Sequence, residues 1–153
     1  PLLRGWRAAR RREATATFAR GAAALEWGMT EGTPTPRRIA LAGATGTIGS
    51  AVQRQLVAEG HAVTAVPRTA LADAKALGAL FAEARPEVVI SCIASRSGAP
   101  GDAEAVDYQA NSHLLTAVRA AGAEHFILLS AICVQKPLLA FQHAKLKFER
   151  ELA

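Results

Sequence analysis

The fold of this chain is decided by Arg38-Ile-Ala-Leu-Ala-Gly-Ala-Thr-Gly-Thr-Ile-Gly49. Residues 39–42 form a short apolar run suited to a strand. Gly43, Gly46 and Gly49 follow at the spacing G-x-x-G-x-x-G. From Ser50 to Glu59 the pattern turns helical, with Val52, Leu56 and Val57 recurring on one face. Strand, glycine turn and helix are the three parts that dinucleotide binding needs. The first glycine allows a tight turn, the second lets backbone N–H groups approach a pyrophosphate, and the third lets the helix pack closely on the strand. A purely structural turn is the alternative, because many turns carry glycines; a strand before and a helix after favour the nucleotide.

Outward from this turn, strand and helix signals alternate. The first helix is expected from Ile48 to Glu59, stopped by Gly60. A second strand spans Ala62–Val66, and Pro67 interrupts it. Asp73 is placed to cap a helix reaching Ala84, where Arg85-Pro86 ends it. Residues 87–93 form a third, nearly continuous apolar strand of the kind that suits a sheet covered on both faces. A loop through Ser97, Gly98, Pro100 and Gly101 leads to a helix from about Ala103 to Ala121, ended by Gly122. His125–Leu129 is a fourth strand, and a last helix starts near Leu138. This series predicts an α/β fold: a Rossmann-type, doubly wound parallel sheet with helices on both faces, over residues 38–153.

Composition narrows the partners. The formal charge of +5 resides mostly in residues 1–28, where six arginines face only Glu13 and Glu26; the remaining 125 residues carry +1. No basic face with interleaved aromatics appears, so nucleic acid is not an expected partner. No run of about 18 apolar residues exists, so no membrane-crossing segment is expected. Cys92 and Cys133 both lie in apolar, strand-like stretches and are expected to be buried, reduced thiols. Residues 1–37 differ from the rest, being rich in Arg and Ala and ending in a stretch of helix breakers. They are expected to be a disordered or weakly helical extension. The chain starts with Pro1, and Met29 lies ten residues before the first strand, so translated upstream sequence is the favoured reading. A transit peptide and a basic docking helix are the alternatives.

The stretch Ser130-Ala-Ile-Cys-Val-Gln-Lys-Pro-Leu-Leu-Ala-Phe-Gln-His-Ala-Lys-Leu-Lys-Phe-Glu-Arg-Glu-Leu152 is more specific than any glycine motif. It resembles the divinyl chlorophyllide or protochlorophyllide 8-vinyl reductases, atypical members of the short-chain dehydrogenase/reductase superfamily. Gly43-Ala-Thr-Gly-Thr-Ile-Gly49, Ser91-Cys-Ile-Ala-Ser-Arg96 and Asp107-Tyr-Gln-Ala-Asn111 are similar to the same family. The resemblance covers residues 38–152. It implies NADPH as cofactor, a divinyl chlorophyllide or protochlorophyllide as substrate, and reduction of the 8-vinyl group to ethyl in chlorophyll or bacteriochlorophyll biosynthesis. Members run to roughly twice this length, so the chain is expected to be a cofactor-binding part, truncated at its C-terminus and inactive alone. In one respect it departs from the family. Only six residues separate Val66 from Asp73, a connection that resembles the dTDP-4-dehydrorhamnose reductases of the same superfamily.

The residue assignments follow. Gly43, Thr45, Gly46, Thr47, Ile48 and Gly49 are assigned to the cofactor. Arg68 follows the second strand, where an acid would accept bonds from the ribose of NAD; an arginine there pairs instead with the 2′-phosphate of NADP. A solvated loop arginine is the alternative. Carbonyl-reducing members of the superfamily have Tyr four residues before a lysine, which lowers the Tyr pKa and grips the nicotinamide ribose. Here Phe141 occupies the tyrosine position and Lys145 remains. Phenylalanine donates no proton, which disfavours alcohol–ketone chemistry by that route. Reduction of an activated carbon–carbon double bond remains open to it. Lys145 is assigned a catalytic and ribose-binding role, with an exposed helix lysine as the alternative.

Ser130 ends the fourth strand and is assigned a catalytic or ribose contact, or else a cap. Ala94 and Ser95, with Arg96, are expected to line the nicotinamide side through their backbone. For Asn111 the resemblance implies a residue that holds a helix kink and a water, with a surface residue as the alternative. Gln135, Lys136 and Gln142 are candidate proton donors or pigment contacts. The four histidines lack metal-ligand spacing, so no metal is expected. A non-catalytic NADP-binding sensor and a nucleotide-sugar reductase or epimerase are the competing functions. A bacterial cytoplasm is the expected location, or a chloroplast if residues 1–28 are a transit peptide. The oligomeric state is left open.

Overall fold

Four parallel strands, β1 (Arg38–Ala42), β2 (Ala62–Val66), β3 (Val88–Ser91) and β4 (His125–Leu128), form one sheet in the order β2-β1-β3-β4. This computed structural model describes residues 35–153; the expectations for the extension over residues 1–37 lie outside the described residues as far as residue 34. The register pairs Ala42 with both Val66 and Ser91, and Ser91 with Leu128, so the carboxyl ends of the strands align along one edge. The chain leaves β1 to one side for β2 and returns to its other side for β3. This order reversal opens a crevice at the carboxyl edge beside β1, where ligands of open α/β sheets bind.

Each helix begins and ends on a local signal. Helix α1 (Thr47–Ala58) starts from Gly46 and stops at Gly60, whose φ of +85° takes the chain out of the helix. A 3-10 turn over Arg68–Ala72 follows β2. Helix α2 (Ala74–Ala84) is capped by Asp73, whose carboxylate accepts from the Lys75 N–H at 2.8 Å. Arg85, left-handed at φ +43°, and Pro86 end it. Helix α3 (Pro100–Ala103), a π-helical run (Glu104–Gln109) and α4 (Ala110–Ala121) then continue without a break until Gly122 at φ +69°. Helix α5 (Ala140–Leu152) closes the chain. No described helix is long and apolar enough to cross a membrane.

Strand alternation sends Ala40, Ala42 and Val89 to one face, where Leu77 and Phe81 of α2 and Leu114 and Val118 of α4 bury them. Phe126 of β4 meets Phe148 of α5 on this face, with ring centroids 5.7 Å apart. Ile39 and Leu41 point the other way and are buried where α1 packs on β1 and β2. Helices therefore cover both faces, but unequally. Beyond the reach of α1, Ile127 on the edge strand β4 stays 51 % exposed.

Several boundaries depart from expectation. β3 is Val88–Ser91 rather than residues 87–93; the Cys92 N–H still donates to the Ala42 carbonyl at 2.9 Å, and Cys92 and Ile93 line the crevice. The long helix starts at Pro100, with proline at its N-terminal turn, and its π-helical run was not foreseen. Cys133 is not a buried strand thiol. It is exposed, in a turn with φ +60°, next to Ile132, which is 87 % exposed. Cys92 is half-buried just past β3.

Candidate functional site

The glycine turn is built by backbone crowding. Gly43 holds φ +81°, and a Cβ there would lie 2.7 Å from the Cys92 carbonyl oxygen. A Cβ on Gly49 would meet the Gly43 oxygen at 2.0 Å. Neither position accommodates a side chain, so α1 approaches β1 more closely than any other residue allows. The Gly46 N–H donates to the Gly43 carbonyl at 3.0 Å and closes the turn. No side chain caps the N-terminus of α1, and its first turn carries no acid. Its first N–H groups thus keep their donor capacity and partial positive charge for an outside anion.

An open cleft of about 590 Å³ sits on this turn. Residues 43–48 form one wall, residues 65–68 with Leu71 another, and residues 92–94 with Arg96, Val106 and Leu129 the rest. Among the assigned residues, Gly43, Thr45, Gly46, Thr47, Ile48, Arg68 and Ala94 line the cleft. Gly49 lies beneath the turn, and Ser95, Ser130 and Lys145 do not line it. Arg68 is exposed and lies near enough to Asp102 to help lower that carboxylate below the usual range; the Ser97 N–H and hydroxyl contribute more. Burial pushes the Cys92 thiol up, and the nearby Lys145 ammonium opposes that only in part.

Behind the cleft wall lies a buried polar cluster. Lys145 is not an exposed helix lysine: it is 3 % exposed and donates to the Ile93 carbonyl at 3.1 Å. Its Nζ also stands 3.3 Å from Asp107 Oδ1, close enough to pair but poorly directed for a hydrogen bond. Asp107 Oδ2 accepts from the Ser95 N–H at 3.2 Å. Asn111, fully buried rather than on the surface, donates to the Asp107 carbonyl at 3.0 Å and accepts from the Ser91 hydroxyl at 2.6 Å. Together these bonds tie β3 and the loop after it to the π-helical run and to α5.

The other candidates are spread apart. The Ser130 hydroxyl donates to Glu149 of α5. Phe141 is half-buried near the loop at Gly98, where a Cβ would lie 3.9 Å from its ring. Gln142 serves the local backbone: its Oε1 accepts from the Leu138 and Leu139 N–H groups, and its amide donates to the Ile132 carbonyl. That occupies both ends of a residue proposed as a proton donor. Gln135 and Lys136 are exposed. Leu71, Cys92 and Val106 in the cleft, and Asp107 behind it, were not anticipated as site residues. The available signal for Asp107 was its position four residues before Asn111, which places both on one helix face.

These features can be set against known proteins. The family model described as "NAD dependent epimerase/dehydratase family" matches residues 39–146. A divinyl chlorophyllide a 8-vinyl-reductase, chloroplastic, from Oryza sativa subsp. indica is 43% identical, over 78% of this chain and 36% of the relative. The protein of that name from Zea mays is 44% identical over 75% and 35%, and the one from Arabidopsis thaliana is 61% identical over 43% and 16%. The chain thus spans about a third of the length of the first two relatives.

Among solved structures, the dTDP-4-dehydrorhamnose reductase of Bacillus anthracis str. Ames in complex with NADP superposes at TM-score 0.66. It is 16% identical, over 75% of this chain and 48% of that one. The Bordetella bronchiseptica enzyme WbmG in complex with NAD and UDP superposes at 0.68 with 17% identity, over 77% and 49%. At such low identity these two speak for the fold alone. The glycine turn on β1, the switch point beside it and the family match across both agree, and the chain belongs to the NAD dependent epimerase/dehydratase family.

Proposed function

We propose that this chain carries the nucleotide-binding part of an NADPH-dependent reductase that converts the 8-vinyl group of a divinyl chlorophyllide or protochlorophyllide to ethyl. The observation that carries this reading is the 40–44% identity to three proteins named divinyl chlorophyllide a 8-vinyl-reductase. The sugar-nucleotide enzymes that share the fold reach only 16–22%. The cleft fits such a cofactor. Its glycine turn has no room for side chains, and the uncapped start of α1 offers N–H groups to a pyrophosphate. Arg68 at the end of β2 is suited to a 2′-phosphate, which favours NADPH over NADH.

When bound, NADPH supplies the hydride. The chain's own residues bind, orient and exclude water. The backbone around Ala94 backs the nicotinamide end of the cleft, with Lys145 charged behind Ile93. Ribose binding by Lys145 needs its ammonium to turn from the Ile93 carbonyl toward the cleft. Phe141 leaves the tyrosine position without a hydroxyl, so the proton for the second carbon comes from another donor or from water. Ser130, tied to Glu149 at the end of β4, is the proposed hydroxyl on that side.

The chloroplastic relatives favour the plastid over a bacterial cytoplasm for this chain. The compact connection across Arg68–Ala72 matches the nucleotide-sugar reading, but the absent tyrosine hydroxyl opposes it. The test is to incubate the full-length protein with NADPH and divinyl chlorophyllide and follow the absorption spectrum. Conversion to the monovinyl spectrum is expected. Intact NADPH binding without conversion would sink the reading in favour of a cofactor sensor. Phe141→Tyr is expected to give no gain in vinyl reduction, whereas a sugar enzyme would depend on that hydroxyl.

A further inference from the structure

Asp107 is the charged group least explained by the fold. Its carboxylate is fully buried, and no helix needs an acid in the middle of its sheet-facing side. Burying a carboxylate is expensive unless it is paired and hydrogen-bonded, and removing one partner leaves the other uncompensated. Here one oxygen takes the Ser95 N–H and the other faces only the Lys145 ammonium. Lys145 in turn holds the Ile93 carbonyl. The two side chains therefore grip the backbone on both sides of Ala94, the residue between them, which lines the cleft.

The helix is distorted at the same place. The π-helical run covers Glu104–Gln109, and Asn111 binds the Asp107 carbonyl with its side chain while receiving the Ser91 hydroxyl. π-Helical turns are rare, occur mostly as bulges inside α-helices, and are frequent at functional sites. Val106, next to Asp107, itself lines the cleft.

We propose that Asp107 is a positioning residue for the nucleotide cleft, holding Lys145 and the Ile93–Ser95 backbone so that the wall at Ala94 meets the nicotinamide end of the cofactor. The inference rests on the cofactor reading given above. It separates two halves of the ligand. The adenosine end lies toward Arg68 and the glycine turn, which make no bond to Asp107. The nicotinamide end lies against the wall that Asp107 fixes.

The experiment compares NADPH with adenosine 2′,5′-bisphosphate, which keeps the adenosine end and lacks the nicotinamide. Both are titrated against the full-length protein, wild type and Asp107→Asn. The amide retains an acceptor for Ser95 but removes the charge facing Lys145. Affinity for NADPH is expected to fall about tenfold or more, with the bisphosphate unchanged within twofold. A general loosening of the fold would weaken both ligands alike, and that result, or no change in either, overturns the proposal. Should Asp107→Asn fail to fold, Asp107→Glu keeps the charge and displaces the Ser95 contact by one methylene. The same split between the two ligands is expected, and its absence is equally decisive. Wild-type protein that binds neither ligand removes the cofactor reading and this inference together. Wild-type protein that binds NADPH without reducing a vinyl group leaves this inference standing while the substrate falls.

Discussion

Arg68 is exposed at the rim of the cleft, close enough to the half-buried Asp102 to act on its carboxylate. A guanidinium in that position contributes to cofactor choice and little to stability. Arg68→Ala is expected to weaken NADPH binding by about tenfold while leaving NADH nearly unchanged, since a charge-assisted bond to phosphate is worth roughly 1.5–3 kcal/mol. Fluorescence titration with both cofactors checks this, and equal losses for the two would remove the 2′-phosphate assignment. The two cysteines offer a second check. Cys133 is exposed and should label rapidly with a maleimide at pH 7. Cys92, with its thiol pushed above the ordinary value of 9.0 by burial, should label slowly until the pH exceeds about 9. Bound nucleotide should slow it further, because Cys92 lines the cleft. Mass spectrometry of the labelled peptides separates the two. The sequence misplaced Cys133 because Ala131-Ile-Cys-Val134 is short and apolar, and such a run cannot be told from a strand by pattern alone. The exposed-lysine alternative for Lys145 fails for a related reason. A lysine on a helix is exposed by default, and only its distant partner Asp107 makes burial tolerable.

The elements themselves were largely legible, because their punctuation is chemical and local. Asp73, Gly60, Gly122 and Arg85-Pro86 each act within a turn of their own position, and each ends or caps its helix as expected. The π-helical run was not legible. Ala103, Ala110 and Leu114 keep a helical apolar pattern across it, and the groups that meet the helix there, Ser91 of β3 and Lys145 of α5, are remote in sequence. The glycine turn is the element most sensitive to change. Gly49→Ala would place a methyl group 2.0 Å from the Gly43 oxygen, so α1 must move away from β1. Overpacking of this kind typically costs 1–3 kcal/mol, and here a loss of about 3 kcal/mol or more is expected, together with the loss of nucleotide binding. Urea unfolding measures the first and titration the second. A variant with wild-type midpoint and affinity would mean that the turn is looser than its contacts indicate.

At the scale of the molecule, the sheet has a finished side and an unfinished one. α2, α4 and α5 bury one face, whereas α1 covers only the β1–β2 half of the other. The consequence concerns behaviour in concentrated solution. Among the described residues β4 has a neighbour on one side only, and the backbone groups along its outer border carry the geometry to bond another strand. Ile127 beside that border, half in water, supplies the apolar surface that makes such an encounter adhesive. The 153-residue protein is therefore expected to self-associate as its concentration rises, through strand-to-strand adhesion. Ile127→Lys should suppress this without disturbing the glycine turn, because charge on a border strand is how sheets repel copies of themselves. Static light scattering across a dilution series, with NADPH titration as the control, decides it. Association that persists unchanged in the lysine variant would locate the adhesive surface elsewhere.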